Sequence, residues 1–376
     1  MRKKLWTVVG DGVRAGGRLL SELCGHVMEA LRTFEKVQRE FHPLKMSHLH
    51  EMLTPFLLLL EREKARELST PGGRDGEAFD TALERAAEEI VRAVHLFSPA
   101  DDIQQGIMNV LRAGRKICRA QEILYPLRYE SSQINDFFLE DDADRSILKI
   151  DRSPGNNRVP VGISHTGLDA DPYARSGLSL YVPETYDGAV CLPLVVALHG
   201  GFGHGRDFLW TWLREARTRE FILLAPTSSG STWSISSPET DFTHLVGSVE
   251  NICSRYNVDR GRILITGISD GATFALICGL NHRTPFTAIA PVSGVLVPAD
   301  LSQVRDSRIF WVHGAHDWMF PVARAIEGCK ALSTAGMDVT LRIIPDLAHA
   351  YPRQENAAIL SWFDPSADAK THQSPA

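Results

Sequence analysis

From residue 175 onward the chain alternates short apolar, β-favouring runs with amphipathic stretches, and no other feature restricts its fold as much. Leu178–Val182, Leu192–Leu198, Phe221–Ala225, Arg262–Thr266, Thr287–Pro291, Ile309–Val312 and Val339–Ile344 read as strands, most of them continuously apolar. Side chains of a strand point alternately to opposite faces, so a continuous apolar run marks a strand covered on both faces. Between the runs, Thr240–Tyr256, Ala272–Leu280, Val322–Ala335 and Gln354–Trp362 have the length and spacing of crossover helices. Strands joined by crossover helices pair in parallel, which predicts an α/β fold with a mostly parallel sheet over residues 175–365.

The front of the chain has a different texture. Leu20, Leu23, Val27, Leu31, Phe34, Val37 and Phe41 recur at three-to-four spacing, one stripe of an amphipathic helix over Arg18–Phe41. Met46–Leu68 reads as a second helix that Pro55 should kink or split, and Ala78–Phe97 as a third. Ser98, as N-cap, with Pro99, Asp101 and Asp102 behind it, is expected to open a fourth. The expected organisation is an all-α N-terminal domain (1–140), a linker and entry to the sheet (141–174), a catalytic domain (175–365) and a disordered tail (366–376). The acids between Glu140 and Asp144 lack the ligand alternation of a calcium loop and read as a solvated connector. His42, His48 and His50 lack a third ligand in a fixed motif and read as solvent-facing residues, with no metal expected.

Composition narrows the classes of function. Forty Lys and Arg against 46 Asp and Glu give a net charge of −6, which argues against a general polyanion-binding role, so nucleic acid is not an expected partner. The six cysteines stand singly and read as reduced thiols. Met1–Lys4 is basic, but Gly10 and Asp11 interrupt the apolar stretch behind it, so export is not expected and a cytoplasmic location is. Pro55–Leu60 is far shorter than the ~20 apolar residues that span a bilayer.

The chemistry centres on Gly267-Ile-Ser-Asp-Gly271, with a strand before it and a helix after it. A serine on so sharp a strand-to-helix turn is presented at the carboxyl edge of the sheet, and flanking glycines relieve the crowding any Cβ would cause. The Asp270 amide, at the N-terminus of the following helix, is then aimed at an oxyanion forming on an attacked carbonyl. Ser269 needs a histidine base and an orienting carboxylate, in the chain order Ser, acid, His. Asp317, after Ile309–Val312, is the preferred acid over Asp300, Asp306 and Asp346, and His349, after Val339–Ile344, is the preferred base over His313 and His316. Leu198-His-Gly-Gly-Phe-Gly203 offers a second oxyanion donor, Gly201, with the Phe202 amide as the alternative and His199 as the anchor of the loop.

On Leu198-His-Gly-Gly, Gly267-Ile-Ser-Asp-Gly, Gly314-Ala-His-Asp and Ala348-His349, residues 175 to 363 resemble the α/β-hydrolase superfamily. Within it they look like carboxylesterase/phospholipase-like and polyhydroxybutyrate-depolymerase-like serine esterases. Asp270 stands where Gln, Met or His is more usual, and Ala348 where a Gly often precedes the histidine. The resemblance implies a Ser269-His349-Asp317 triad, an oxyanion hole of the Gly201 and Asp270 amides, an acyl-enzyme mechanism and no cofactor. The activity so implied is hydrolysis of short or medium acyl or aryl esters, with a thioesterase or peptidase on the same triad, or a binding protein on the same fold, as alternatives. Trp233, Phe202 and Trp318 are the candidate substrate-binding residues, and the N-terminal helices offer a surface for a possible homo-oligomer.

Overall fold

The computed structural model describes residues 5–67, 77–100, 102–141, 143, 159–168, 170–298, 301 and 307–365. Met1–Lys4, much of the expected linker, Asp300, Asp306 and the tail from residue 366 lie outside the described residues. The chain forms two compact units, Met1–Phe138 and Leu139–Ala376.

The N-terminal unit is helical: α1 (Leu5–Arg39), α2 (Met46–Leu53), α3 (Pro55–Glu67), α4 (Glu77–Leu96), α5 (Ile103–Leu124) and α6 (Ser132–Phe137). Leu23, Val27, Leu31, Phe34 and Val37 of α1 are all buried, together with Leu83, Ile90 and Val94 of α4. Full burial of such a side chain contributes ~1.5–3 kcal/mol, so the stripe itself drives the packing. Pro55 splits the second predicted helix: α2 stops at Leu53 and α3 restarts with the proline in its first turn, where no intrahelical amide is needed. The start of α5 differs from expectation. Asp102, rather than Ser98, is the N-cap, and its carboxylate accepts from the amides of Gln104 and Gln105, both at 3.2 Å. A carboxylate there both accepts the orphan N–H groups and complements the helix dipole. His42 caps the Leu44 amide, and His50 is tied to the Phe97 carbonyl at 2.6 Å rather than facing solvent alone. Among the described residues no helix is long and apolar enough to cross a membrane.

The C-terminal unit is built on an eight-stranded sheet in the order β1-β2-β4-β3-β5-β6-β7-β8. The strands are β1 (Gly162–Thr166), β2 (Leu178–Val182), β3 (Leu192–Leu198), β4 (Ile222–Pro226), β5 (Val258–Ile268), β6 (Ala288–Val292), β7 (Arg308–Gly314) and β8 (Asp338–Ile344). β1 pairs β2, and β2 pairs β4, antiparallel; the remaining pairs are parallel. The crossovers are α7 (Gly205–Phe208), α8 (Leu213–Arg219), α9 (Glu239–Arg255), α10 (Asp270–Leu280), α11 (Val322–Thr334) and, after β8, α12 (Asn356–Phe363). The α7–α8 crossover and β1 were not anticipated. Leu194, Val196, Ile263, Ile265, Ile289 and Ile309 belong to one buried cluster with helix residues Leu245, Val249 and Phe274. Because β4 and β5 lie on opposite sides of β3, the chain leaves the carboxyl ends of β3 and β5 in diverging directions, which opens the crevice where α/β sheets place ligands.

Candidate active site

Ser269 sits at the carboxyl end of β5 with φ 56° and ψ −121°, outside the regions favoured by L-residues. The turn is possible because its neighbours approach too closely for side chains. A Cβ on Gly271 would meet the His199 carbonyl oxygen at 2.3 Å, and one on Gly267 would meet the Gly271 backbone at 2.7 Å. The Ser269 amide donates to the Val292 carbonyl at 3.0 Å and its own carbonyl accepts the Thr273 amide at 2.9 Å, so β6 and α10 fix both sides of the strained residue.

Asp317 and His349 arrive from β7 and β8. His349 Nε2 lies 2.9 Å from Ser269 Oγ, and His349 Nδ1 lies 2.9 and 3.0 Å from the two carboxylate oxygens of Asp317. An ionised carboxylate only accepts, so Nδ1 carries the proton and Nε2 is left to accept from the serine hydroxyl. Asp317 Oδ1 also accepts the amides of Met319 (2.9 Å) and Phe320 (2.7 Å), which the tight turn after β7 directs at it. Burial raises the Asp317 carboxyl, but the His349 hydrogen bond and charge, the Phe320 amide and His313 outweigh it and hold the group below its ordinary value. His313 is fully buried and its pKa is lowered by that burial; its Nε2 pairs with the Phe320 carbonyl at 2.7 Å, which supports the turn from beneath. The rings of Trp318 and Phe320 pack edge-on against His349 at 6.0 and 5.4 Å. Ser269 is 8% exposed and so largely removed from bulk water.

The loop after β3 lies beside the serine. A Cβ on Gly200 would stand 3.5 Å from Ser269 Cβ, so the loop backbone passes directly over the turn. The Phe202 amide donates to the Ser231 carbonyl at 2.8 Å and is committed, whereas the Gly201 amide donates to no carbonyl among the described residues. His199 lies beneath the loop: its Nδ1 pairs with the Gly200 carbonyl at 2.7 Å and its Nε2 accepts the Ser228 amide at 3.1 Å. Burial, opposed by the Gly200 bond, lowers this imidazole to about 3, so it is neutral at ordinary pH.

Of the three aromatic candidates, one belongs to the buried core. Trp233 is 3% exposed, stacks on Phe274 at 5.0 Å and donates its indole N–H to the His199 carbonyl at 2.8 Å. It fastens the loop to the core. Phe202 is 55% exposed on a backbone with φ 58°, and Trp318 is half-buried beside His349. Two supports had no sequence signal. Asp241 of α9 accepts the amides of Ser229 and Ser234, and Thr232 donates to the Asp270 carboxylate at 2.6 Å, so the 227–234 loop is pinned from both ends. Among the described residues no group of three or more His, Cys, Asp or Glu is placed to hold a metal.

The family model for phospholipase/carboxylesterase matches residues 234–364, the stretch that contains Ser269, Asp317 and His349. The chain is 30% identical over 160 residues to acetylxylan esterase A of Emericella nidulans, covering 39% of this chain and 51% of that relative, so it spans about half the relative's length. Similar solved structures include esterase PE8, with TM-score 0.43 and 19% identity over 54% of this chain and 100% of that one. Another is the butyrate-bound thermophilic esterase of Thermogutta terrifontis, with TM-score 0.42 and 16% identity over 51% of this chain and 87% of that one. The C-terminal unit is thus an α/β unit on a mostly parallel eight-stranded sheet, and its residues 234–364 are similar to the phospholipase/carboxylesterase family.

Proposed function

We propose that the C-terminal unit hydrolyses carboxylic esters through Ser269, His349 and Asp317. The observation that carries this reading is one imidazole hydrogen-bonded at Nε2 to a strained serine and at Nδ1 to a buried carboxylate. His349 Nε2 takes the Ser269 proton as Oγ bonds to the ester carbonyl carbon, and the negative charge that forms on the carbonyl oxygen is held by the Gly201 and Asp270 amides. The imidazolium then gives its proton to the departing alkoxide as the C–O bond breaks, leaving an acyl-serine and a free alcohol. Water enters, loses a proton to His349 and attacks the acyl carbon; the proton returns to Oγ as the acid leaves. Asp317 stays ionised throughout, keeping the imidazole in one tautomer and stabilising it when charged.

The likeness to an acetylxylan esterase supports short acyl groups as substrates, and the aromatic edges of Trp318 and Phe320 against His349 suit a small apolar acyl chain. The test is turnover of p-nitrophenyl esters from acetate to decanoate by the parent and by Ser269→Ala. The reading expects a short-chain optimum in the parent and a loss of at least about a thousandfold in the variant. Equal rates in the two proteins would remove Ser269 from the chemistry.

A further inference from the structure

The carboxylate of Asp270 has no part in the mechanism above, yet it lies at the centre of the site. Thr232 donates to its Oδ2 at 2.6 Å, and that same oxygen is 2.9 Å from where a Cβ on Gly201 would stand. The negative charge is therefore held against the backbone that supplies one oxyanion donor, on the residue whose amide supplies the other. Such a charge opposes the developing oxyanion, so its presence is unfavourable for the chemical step taken alone. Its second oxygen has no hydrogen-bond partner among the described residues, and the residue is only half-buried, which leaves an acceptor beside the reacting carbonyl.

We propose that Asp270, positioned by Thr232, is a specificity-determining residue that selects esters bringing a hydrogen-bond donor, a hydroxyl or an ammonium, close to the ester carbonyl, and disfavours those bearing a carboxylate there. The proposal rests on the esterase reading and names its substrate class. A donor on the substrate completes the unfilled acceptor and offsets the charge that would otherwise oppose the oxyanion. A carboxylate on the substrate meets like charge at Asp270, whose half-burial weakens the screening of that repulsion. Arg175 is engaged by the carbonyls of Gly203 and Ser228 and by the Ser228 hydroxyl, so it is already committed to the loop framework.

The test compares p-nitrophenyl esters of propionate, 3-hydroxypropionate, β-alanine and malonate, matched in length, with each kcat/KM expressed relative to propionate. In the parent the hydroxyl and ammonium esters should exceed the malonate half-ester by about tenfold or more, and in Asp270→Asn the ammonium-to-malonate ratio should fall by about tenfold. An ammonium ester ahead of the hydroxyl ester would assign the effect to charge, and parity between them to the hydrogen bond; both outcomes support the class. Ratios identical in parent and variant would overturn the role of Asp270 while leaving a Ser269-dependent esterase intact. No turnover of any ester by the folded parent would overturn both readings. Should Asp270→Asn fail to fold by circular dichroism, Asp270→Ser is read in the same way, and a parent ratio of unity overturns the proposal without either variant.

Discussion

Replacing Asp317 by asparagine turns one acceptor atom into a donor and leaves the shape intact, and the structure dictates how that change propagates. Oδ1 accepts the Met319 and Phe320 amides, so an asparagine that keeps its oxygen there must turn its NH2 toward His349 Nδ1, now 2.9 Å from Oδ2. Two donors cannot share that contact, and His349 must move its proton to Nε2, the atom that has to accept from Ser269. The opposite flip restores the histidine but sets the NH2 against two backbone amides at 2.7 and 2.9 Å, which breaks the turn after β7. The first orientation removes the base, and the second loosens the turn that holds it in place. A wrong tautomer of this kind lowers kcat by ~10⁴-fold, about 5 kcal/mol at ~1.36 kcal/mol per factor of ten. Steady-state hydrolysis of p-nitrophenyl acetate, with folding checked by near-ultraviolet circular dichroism, measures it. A well-folded Asp317→Asn that retains a tenth of the parent rate would refute Asp317 as the orienting acid.

Two further outcomes concern the scaffold. Because burial lowers His199 to about 3 while an unfolded imidazole titrates near 6.5, the unfolded chain binds a proton that the native state refuses between those values. Stability is thus fully present above about pH 6.5 and declines as pH falls toward 3, by several kcal/mol at the most; urea midpoints across that range should fall more steeply in the parent than in His199→Gln. Trp233→Ala should cost ~3–5 kcal/mol by loss of the stack on Phe274 and of the bond to the His199 carbonyl, yet keep the parent's acyl-length optimum. A shifted optimum with little loss of stability would put Trp233 back in the pocket.

The parallel core was readable because buried parallel strands announce themselves as apolar runs, as β3, β4, β6 and β7 do, whereas β8, at the sheet edge, alternates apolar residues with Asp338, Thr340 and Arg342. β1 does not: Gly162-Ile-Ser-His-Thr166 is short, half polar and covers an edge, and its identity as a strand comes from pairing with β2. The α7–α8 crossover escaped for a similar reason, being two helical pieces of four and seven residues around a single turn, each too short to show a period. The serine, acid and histidine were legible because each follows its own strand, so local sequence places all three at one sheet edge. What the chain order could not reveal were contacts between loops distant in sequence. Thr232 and Asp270 stand 38 residues apart, and Trp233 and His199 34, and neither pair carries a local pattern. Trp233 in particular reads either way in the sequence, because an aromatic after a strand serves equally as pocket wall or as core, and its stack on Phe274 is a contact no local pattern announces.

The central claim is that Ser269 is the nucleophile, and covalent capture tests it without reference to any substrate. Folded parent protein treated with diisopropyl fluorophosphate should gain the mass of a single phosphoryl adduct, mapped by tandem mass spectrometry to the peptide containing Gly267–Gly271, and His349→Ala should acquire it far more slowly. An adduct on another residue, or none in protein that still hydrolyses esters, would contradict the assignment and the mechanism built on it.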